Sequence, residues 1–216
     1  MLKDAIEAIL ALQPAYSAAN TPAMQRRGRL VRRVLPQALL AHHAALAAAL
    51  GPYGEDLRIE GRDGLGSKSA TPWVRFFSRA RSPKARDGWY CVYLFSAAGD
   101  GLYLSLAHGS TTWGPGGFRP RPPEEMAGLR DWGRQALGAV GEPGRAPALV
   151  LGGSALGASY EQASILALRY AAGAIPEDAA LLEDARRFAG YLRRIHMAED
   201  AAASAQPRRH LGGQGA

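Results

Sequence analysis

The sequence predicts an α+β domain in which a central antiparallel or mixed sheet is flanked by N- and C-terminal helices. Apolar, aromatic-rich runs bounded by turn residues lie within residues 57–107, and segments with helical spacing of apolar residues lie on both sides of them. A short apolar run at 148–151 adds a further strand to the expected sheet. With 216 residues, the chain can bury one core and is most simply a single domain with tails.

The chain begins with three segments that favour helices. Apolar residues recur at helical spacing in residues 2–19, and a second helix over 22–35 follows the cap Asn20-Thr21-Pro22. That second helix carries five arginines, which indicate a solvated amphipathic face more readily than phosphate contacts. The alanine- and leucine-rich segment 36–50 favours a third helix, and the alternating run from Leu57 to Glu60 then predicts a short strand.

The strongest strand signal is the run from Gly88 to Phe95, which is rich in aromatic side chains and contains no charged residue. A strand from Pro72 to Phe77 precedes it, and a short glycine-containing connection leads to a third strand at 102–106. Successive side chains of a strand point to opposite faces of its sheet, and here both sets are apolar, so this strand is expected to be central and covered on both sides. The first face carries Trp89, Cys91, Tyr93 and Phe95, and the second carries Tyr90, Val92 and Leu94.

The part of the chain after the sheet is predicted to alternate loops and helices. The glycine- and proline-rich run from Gly109 to Pro123 predicts a loop, in which Trp113 is either a lid over the core or an exposed stacking residue. Residues 143–147 predict another loop. Helices are expected at 124–137, 160–170 and 176–197. Residues 1–197 then form one domain, and 198–216 form a disordered tail or linker.

Composition narrows the classes of function. The net charge is +7, but only three of the 26 cations are lysine, so the basic excess supports a polyanionic partner only modestly. The single cysteine, Cys91, lies in a predicted buried strand, which excludes a disulfide framework and a cysteine-based zinc site. The sequence has neither an apolar stretch of transmembrane length nor the pattern of a signal peptide, so a soluble, cytoplasmic protein without a membrane partner is expected.

The motifs of common enzyme classes are missing or displaced. Gly61 and Gly66 have the spacing of a phosphate-binding P-loop, but Ser67 occupies the lysine position and Lys68 comes one residue late, before a strand. No acidic residue lies two positions before a lysine, as a common metal-dependent nuclease motif requires. Carboxylate pairs occur on predicted helices, where solvent-facing positions explain them. We therefore expect no enzymatic activity, no metal and no cofactor.

Aromatic strands beside a basic, glycine-containing loop point to a nucleobase pocket. Stacking needs flat apolar faces, and phosphates need cations close by. The alternative is that the aromatic side chains are core residues and the cations are merely solvated. Lys68 suits a phosphate contact best, because a lysine in a glycine loop can follow the backbone of a duplex. The candidate loop and phosphate-contact residues are Gly64, Gly66, Ser67, Lys68, Arg75, Arg79, Arg81, Lys84 and Arg86.

An ordered series of motifs runs through the chain. It begins with Gly64-Leu65-Gly66, Thr71-Pro72-Trp73 and the strand from Gly88 to Phe95. It continues with Tyr103-Leu104-Ser105-Leu106, Gly109, Tyr160-Glu161 through Ile165 to Tyr170, Ile175-Pro176, Asp184 and Tyr191. In this series, over roughly residues 1–197, the chain resembles the N-terminal DNA-binding domain of McrB-type, modification-dependent restriction proteins.

The resemblance implies a non-catalytic reader of double-stranded DNA that rotates a 5-methyl- or 5-hydroxymethylcytosine out of the duplex. Trp73, Tyr90 and Leu94 would form the pocket, and Leu65, at a loop position that can be aromatic in this family, would cover its mouth. Extruding a base costs about a few kcal/mol, which stacking on aromatic rings and an apolar slot for the methyl group can return.

The resemblance also implies partners. The full restriction proteins carry a GTP-hydrolysing motor after this domain and relatives attach a nuclease, so a motor or nuclease domain or subunit is expected to supply cleavage. One alternative is a protein-interaction or regulatory domain that keeps the fold without a base pocket. A further alternative, with less support, is an enzyme acting on a small molecule, for which the sequence offers no candidate set of catalytic residues.

Overall fold

Four helices precede the sheet-forming part of the chain, and the C-terminal part adds three helices and one further strand. The computed structural model describes residues 1–115, 117–140 and 148–205. Its helices are α1 (Leu2–Leu12), α2 (Pro22–Arg29), α3 (Leu35–Leu40), α4 (His43–Leu50), α5 (Pro123–Leu137), α6 (Ala155–Ala163) and α7 (Asp178–Ala205). Its strands are β1 (Leu57–Arg62), β2 (Trp73–Ser78), β3 (Trp89–Phe95), β4 (Gly101–His108), β5 (Thr111–Gly114), β6 (Gly117–Pro120) and β7 (Ser164–Ala171).

Five strands form a wholly antiparallel sheet in the order β1-β2-β3-β4-β7, and β5 and β6 form a separate two-stranded sheet. β3 lies at the centre of the larger sheet, and all of its residues are buried. The predicted α+β class and the central position of this strand are confirmed, and of the two arrangements expected for the sheet, antiparallel or mixed, the structure has the antiparallel one. Apolar content on both faces predicted that position, because only a strand covered on both sides can bury so many aromatic rings.

Each face of the larger sheet carries its own apolar cluster. The larger cluster contains Trp89, Cys91, Tyr93 and Phe95 of β3 together with side chains of α1, α3, α4 and α7. The smaller cluster contains Tyr90, Val92 and Leu94 of β3, with Met126, Leu151 and Ala163. α5, α6 and parts of loops supply the cover on this second side, and a cavity opens there against the strands.

The N-terminal helices occur with shifted boundaries. α1 ends at Leu12 and is followed by the short 3-10 turn Gln13–Ala15, so the helix expected over 2–19 is shorter than predicted. α2 and α3 are continuous through a π-helical segment at Leu30–Val34, and a break before His43 separates them from α4. The predicted helix at 124–137 is confirmed as α5.

The edge strand beside β4 is β7, where the sequence predicts a helix over 160–170. That prediction is wrong beyond Ala163, the last residue of α6. From there Leu166, Leu168 and Tyr170 alternate toward the larger cluster, while Ala167 faces the smaller one. Backbone pairing with β4 and burial on both faces therefore outweigh the helix propensity of this segment.

The predicted strand at 148–151 is also wrong, because these residues form no strand. The oxygen of Leu151 accepts a backbone hydrogen bond from the nitrogen of Ala97 at 2.8 Å, and its side chain is buried in the smaller cluster. β7 occupies the edge of the sheet beside β4. The apolar run therefore covers the sheet instead of extending it.

Two regions predicted to be irregular contain regular structure. The loop expected from Gly109 to Pro123 contains the β5–β6 hairpin. α7 continues to Ala205, so the prediction of a disordered tail is wrong for residues 198–205. Asp200 of this last part accepts hydrogen bonds from Tyr53 and Arg81, which anchors the helix end. The predicted loop at 143–147 and the tail at 206–216 lie outside the described residues.

Among the described residues, no single helix has the length and hydropathy of a membrane span. Two helical stretches, Pro22–Leu40 and His43–Gly54, meet that test only when they are taken together, and they enclose an angle of 75°.

Candidate nucleic-acid interface

A cavity of about 650 Å³ opens on the second face of the sheet, within the range of sites that bind small organic ligands. Its floor is formed by side chains of β2 and β3, and its walls come from the segments 64–70 and 83–86, from α6 and from the β5–β6 hairpin. Leu65, Lys84 and Phe118 are exposed and line it, so the cavity reaches the protein surface. All four residues that the resemblance assigns to a base pocket, namely Trp73, Tyr90, Leu94 and Leu65, line this one cavity.

The register between β2 and β3 brings the aromatic residues of the cavity floor next to each other. Trp73 lies directly opposite Leu94 in the β2–β3 pair, and Tyr90 follows on the same face of β3. Tyr90 and Leu94 are 6% and 2% exposed, whereas Trp73 is only half-buried. The phenol oxygen of Tyr90 donates a hydrogen bond to the oxygen of Ala85 at 3.0 Å, which fixes the ring against segment 83–86. The rings therefore contribute to an open cavity and are held in place by their neighbours.

Tyr160 of α6 lines the cavity together with Trp73. Burial raises the pKa of Tyr160 to about 12, and the nearby indole of Trp73 acts in the opposite direction. Burial also raises the pKa of Tyr90, while the nearby Arg75 lowers it. Both phenols are therefore neutral at physiological pH, so these walls offer aromatic surface without negative charge.

Arg75 occupies the floor instead of the surface. Its side chain is 1% exposed, and its Nε donates a hydrogen bond to Oε1 of Glu60 at 2.8 Å. Its Nη1 donates to the hydroxyl of Ser82 at 2.7 Å, and its Cζ lies 3.6 Å from the centre of the Phe77 ring. Burial lowers the pKa of Arg75, and Glu60 raises it. The expected phosphate contact does not fit this burial, because the donors of Arg75 are already engaged inside the protein.

The glycine loop has a fixed base and a free tip. Gly64 and Gly66 have positive φ angles of 117° and 79°, and a side chain at Gly64 would clash with the backbone of Ser67. Lys68, expected to contact phosphate, pairs with the fully buried carboxylate of Asp63 at 3.0 Å. Leu65 at the tip is 79% exposed. The loop therefore presents an apolar side chain at the cavity mouth, and its lysine has a partner within the protein.

The remaining cations divide into two groups. Lys84 and Arg86 line the cavity, so both remain candidates for phosphate contacts. Arg79 is exposed but is not part of the cavity wall. Arg81 pairs with Asp200 and lies over the ring of Tyr53, 5.0 Å from its centre, so it is engaged with α7. The structure thus brings only part of the predicted basic set to the cavity.

The wall includes residues that sequence-based reasoning missed, among them Phe118, which packs against Trp113 beside the cavity. Trp113 and Phe118 of the β5–β6 hairpin form an edge-to-face pair with ring centres 4.9 Å apart, and they are 59% and 51% exposed. Of the two options for Trp113, the structure thus selects an exposed position beside the cavity. Glu60 and His108 also line the cavity, as does Tyr160. Alternation along the strands could have placed Glu60 on the face of Arg75 and Val92, because these three are register partners.

Within the described parts of the chain, no group of three or more histidine, cysteine, aspartate or glutamate side chains could hold a metal ion. The described residues that line the cavity offer aromatic rings, aliphatic side chains, one carboxylate and several cations. These features suit a planar, polar ring attached to a polyanion, because the ring can stack while the cations near the mouth face phosphates.

Comparison with known proteins agrees with this geometry. The model of the family described as MrcB-like, N-terminal domain matches residues 12–197. No curated protein and no solved structure matches the chain. The match covers most of the described residues, including β1 to β7 and the whole cavity wall. The chain therefore belongs to the MrcB-like N-terminal domain family, which indicates a DNA-binding module of restriction proteins that is not itself catalytic.

Proposed function

We propose that this chain binds double-stranded DNA and takes a modified cytosine, carrying a 5-methyl or 5-hydroxymethyl group, into the cavity between Trp73, Tyr90 and Leu94. The observation that carries the proposal is that these three side chains line one cavity that reaches the surface beneath an exposed Leu65. A domain that keeps the fold without a base pocket would leave no cavity beside these side chains, so the cavity and the half-buried indole of Trp73 favour the reader over that alternative.

The energetics of the cavity suit an everted base. Rotating a base out of a duplex costs about a few kcal/mol, and stacking on an aromatic side chain returns about 1–3 kcal/mol per base. The half-buried indole of Trp73 offers one such surface, and the neutral ring of Tyr90 offers another. Leu94 adds an aliphatic contact for a 5-methyl group opposite Trp73. Because an apolar slot discriminates one methyl group by only about 1–3 kcal/mol, we expect moderate preference over unmodified cytosine.

The surface around the mouth supplies contacts to the rest of the DNA. Lys84 is exposed on one side, and Arg86 is half-buried next to it. Leu65 projects from the glycine loop, and the Trp113–Phe118 pair projects from the hairpin. We assign the cations to the phosphates and the apolar tips to the bases that flank the everted nucleotide. Lys68, Arg75 and Arg81 hold the protein together and are not assigned to phosphates.

In this proposal the chain is the specificity part of a modification-dependent restriction system in the cytoplasm. Cleavage is assigned to a motor or nuclease domain or subunit, as the resemblance to modification-dependent restriction proteins implies. The binding reaction itself needs no cofactor, since stacking, apolar contact and charge pairing supply the affinity.

Binding to matched duplexes tests the proposal. Duplexes that differ only in one cytosine, 5-methylcytosine or 5-hydroxymethylcytosine, and that carry 2-aminopurine beside it, are titrated at one salt concentration. We expect tighter binding of a modified duplex together with a rise in 2-aminopurine fluorescence, which reports unstacking. Equal affinity for all three duplexes without a fluorescence change would contradict the proposal.

Variants then locate the binding site. Trp73→Ala should weaken binding of the modified duplex about 10-fold, because it removes one stacking surface. Met197→Ala is the matched control, because Met197 is 52% exposed on α7 and does not line the cavity. Circular dichroism and thermal unfolding of both variants separate loss of binding from loss of fold.

A further inference from the structure

We propose that Glu60 is the residue that distinguishes an everted 5-methylcytosine from thymine, by accepting a hydrogen bond from the exocyclic amino group of the cytosine. The inference rests on the proposed function, since it concerns the same cavity, and it assigns the specificity of that cavity to a side chain that neither the motif series nor the family match marks.

The need for such a residue follows from the chemistry of the ligand. Thymine carries the same methyl group on the same pyrimidine position and is present throughout DNA. Aromatic stacking and an apolar slot respond almost equally to the two bases. They differ at the next ring carbon, where cytosine presents an amino donor and thymine presents a carbonyl acceptor. A reader therefore needs a hydrogen-bond acceptor at this edge, and carboxylates are the side chains that accept from the cytosine amino group.

Glu60 is the only carboxylate side chain among the described residues that line the cavity. It lies on β1 directly opposite Arg75 of β2, and Arg75 lies opposite Val92 of β3, so the three share one row across the floor. Trp73 and Leu94 form the neighbouring row. Two residues along a strand span about 7 Å, which is a distance that a stacked pyrimidine ring and its substituent can bridge.

One oxygen of Glu60 is engaged by Arg75, and the other is only loosely paired with Arg62. Oε1 accepts from Nε of Arg75 and lies 2.8 Å from its Nη2 as well. Oε2 lies 3.6 Å from Nη2 of Arg62, which is beyond hydrogen-bond distance. The Glu60 side chain is 31% exposed. Within the described residues Oε2 accepts no hydrogen bond, and its ion pair with Arg62 leaves it an acceptor position, in a cavity whose other polar side chains are hydroxyls, cations and the imidazole of His108.

Arg75 acts as the positioning residue for this carboxylate. Its guanidinium is buried, donates to Glu60 on one side and to Ser82 on the other, and lies 5.2 Å from the centre of the Tyr90 ring. The pair therefore presents the carboxylate next to the aromatic floor in a fixed orientation. A thymine carbonyl facing Oε2 would bring two acceptors together without a hydrogen between them, which is repulsive and leaves both unpaired.

The test compares a 5-methylcytosine duplex with a duplex that carries thymine at the same position opposite guanine. The mismatch makes thymine easier to extrude, so rejection of it must come from the pocket. We expect the native protein to bind the 5-methylcytosine duplex at least about 10-fold more tightly. Glu60→Gln keeps an acceptor for Arg75 but can turn its amide donor toward the thymine carbonyl. We expect this variant to reduce the preference by about 10-fold, mainly by improving thymine binding.

Glu183→Gln is the control, because Glu183 pairs with Arg186 on the exposed face of α7, away from the cavity. A second readout uses 5-methylpyrimidin-2-one, which lacks the amino group: the native protein should bind it about 10-fold more weakly than 5-methylcytosine, and Glu60→Ala should treat the two bases alike. Thermal unfolding of each variant tests whether the fold is intact.

The outcomes separate this inference from the proposed function. Unchanged rejection of thymine by Glu60→Gln, in a protein that still everts 5-methylcytosine with a rise in 2-aminopurine fluorescence, would overturn the role of Glu60 alone. Failure of the native protein to prefer or evert 5-methylcytosine would instead overturn the proposed function. If Glu60→Gln unfolds, the pyrimidinone comparison in the native protein decides, because equal binding of the two modified bases excludes any acceptor for the amino group.

Discussion

The ammonium group of Lys68 lies 3.0 Å from Oδ2 of Asp63, and the Asp63 side chain is fully buried where the glycine loop begins. Asp63 also accepts a hydrogen bond from Arg32, so two cations share one carboxylate. Lys68 is therefore part of the loop's internal framework, although its position in a glycine loop predicts a phosphate contact. Lys84 differs, because within the described residues no carboxylate lies within 4.0 Å of its ammonium group.

The salt dependence of DNA binding distinguishes these two lysines. We expect Lys84→Ala to reduce the slope of log Kd against log salt concentration by about one, because one phosphate contact is lost. Lys68→Ala should leave the slope nearly unchanged and lower the free energy of unfolding by about 2 kcal/mol, because Asp63 keeps only Arg32. Titrations over a range of salt concentrations and urea denaturation measure the two effects. A slope change in Lys68→Ala equal to that in Lys84→Ala would show that the ion pair opens when DNA binds.

The exposed aromatic pair on the β5–β6 hairpin predicts a change in tryptophan fluorescence. If Trp113 stacks on a base beside the everted nucleotide, its emission is quenched when DNA binds, and Trp113→Phe removes that part of the signal. We expect Trp113→Ala to weaken DNA binding about 5- to 10-fold, which corresponds to the loss of one stacking contact. Trp113→Phe should retain most of the affinity, since it keeps an aromatic ring.

The fluorescence assay has an internal reference in Trp132, which packs against Trp89 with ring centres 5.9 Å apart and does not line the cavity. Quenching that is identical in the native protein and in Trp113→Phe would place the hairpin outside the DNA-binding surface. The hairpin would then serve only to cover the cavity through Phe118.

Substitution of two glycines of α5 by alanine is expected to change the free energy of unfolding in opposite directions. A side chain at Gly133 would clash with the ring of Trp89, whereas nothing lies within 4 Å of a side chain at Gly128. Gly128→Ala should raise the free energy of unfolding by about 0.5–1 kcal/mol, because alanine favours a helix. Gly133→Ala should lower it by about 1–3 kcal/mol, because the clash forces α5 away from β3.

Chemical denaturation measures the free energy of unfolding of both variants. The two variants carry the same substitution on the same helix, so each serves as a control for the other. Equal stabilisation by the two substitutions would mean that α5 does not pack closely on Trp89. The far-ultraviolet spectrum should be unchanged in both cases, because neither substitution removes a backbone hydrogen bond.

The half-buried imidazole of His108 predicts a loss of stability in mild acid. Burial lowers the pKa of His108, although the hydrogen bond to the oxygen of Gly109 acts in the opposite direction. The unfolded chain has the ordinary pKa of about 6.5, so below that pH the unfolded state binds more protons than the folded state. The stability that the neutral ring contributes is therefore complete above about pH 6.5 and declines as the pH falls toward the folded pKa.

His108→Asn tests this contribution, because the amide can still donate to Gly109 but does not titrate. The difference in the free energy of unfolding between pH 7.5 and pH 5.5 should be smaller in the variant than in the native protein. An identical difference in both would show that other groups carry the acid dependence. Arg121, Glu125 and Glu199 are the charged residues that also influence the His108 pKa, so the comparison is made at constant ionic strength.

Local patterns were enough to predict much of the sheet. The alternation along Gly88 to Phe95 separated Trp89 and its partners from Tyr90, Val92 and Leu94, and the two sets belong to different clusters. Such alternation works because neighbouring side chains of a strand must point to opposite faces. The helix predicted over 160–170 was wrong beyond Ala163. The alanine content of this segment favours a helix, and only pairing with β4 makes it a strand.

The sequence by itself determined the α+β class, the central strand and the common face of Tyr90 and Leu94, because these depend on periodicity within a few residues. Only the tertiary structure decided which charged side chains are paired within the protein. Arg75 pairs with Glu60, Lys68 with Asp63 and Arg81 with Asp200. The last pair joins residues 119 positions apart. A charged side chain can bind phosphate only if the fold leaves it without a partner inside the protein. That partner is set by which distant segments the fold brings within about 4 Å, and no local sequence pattern contains this information.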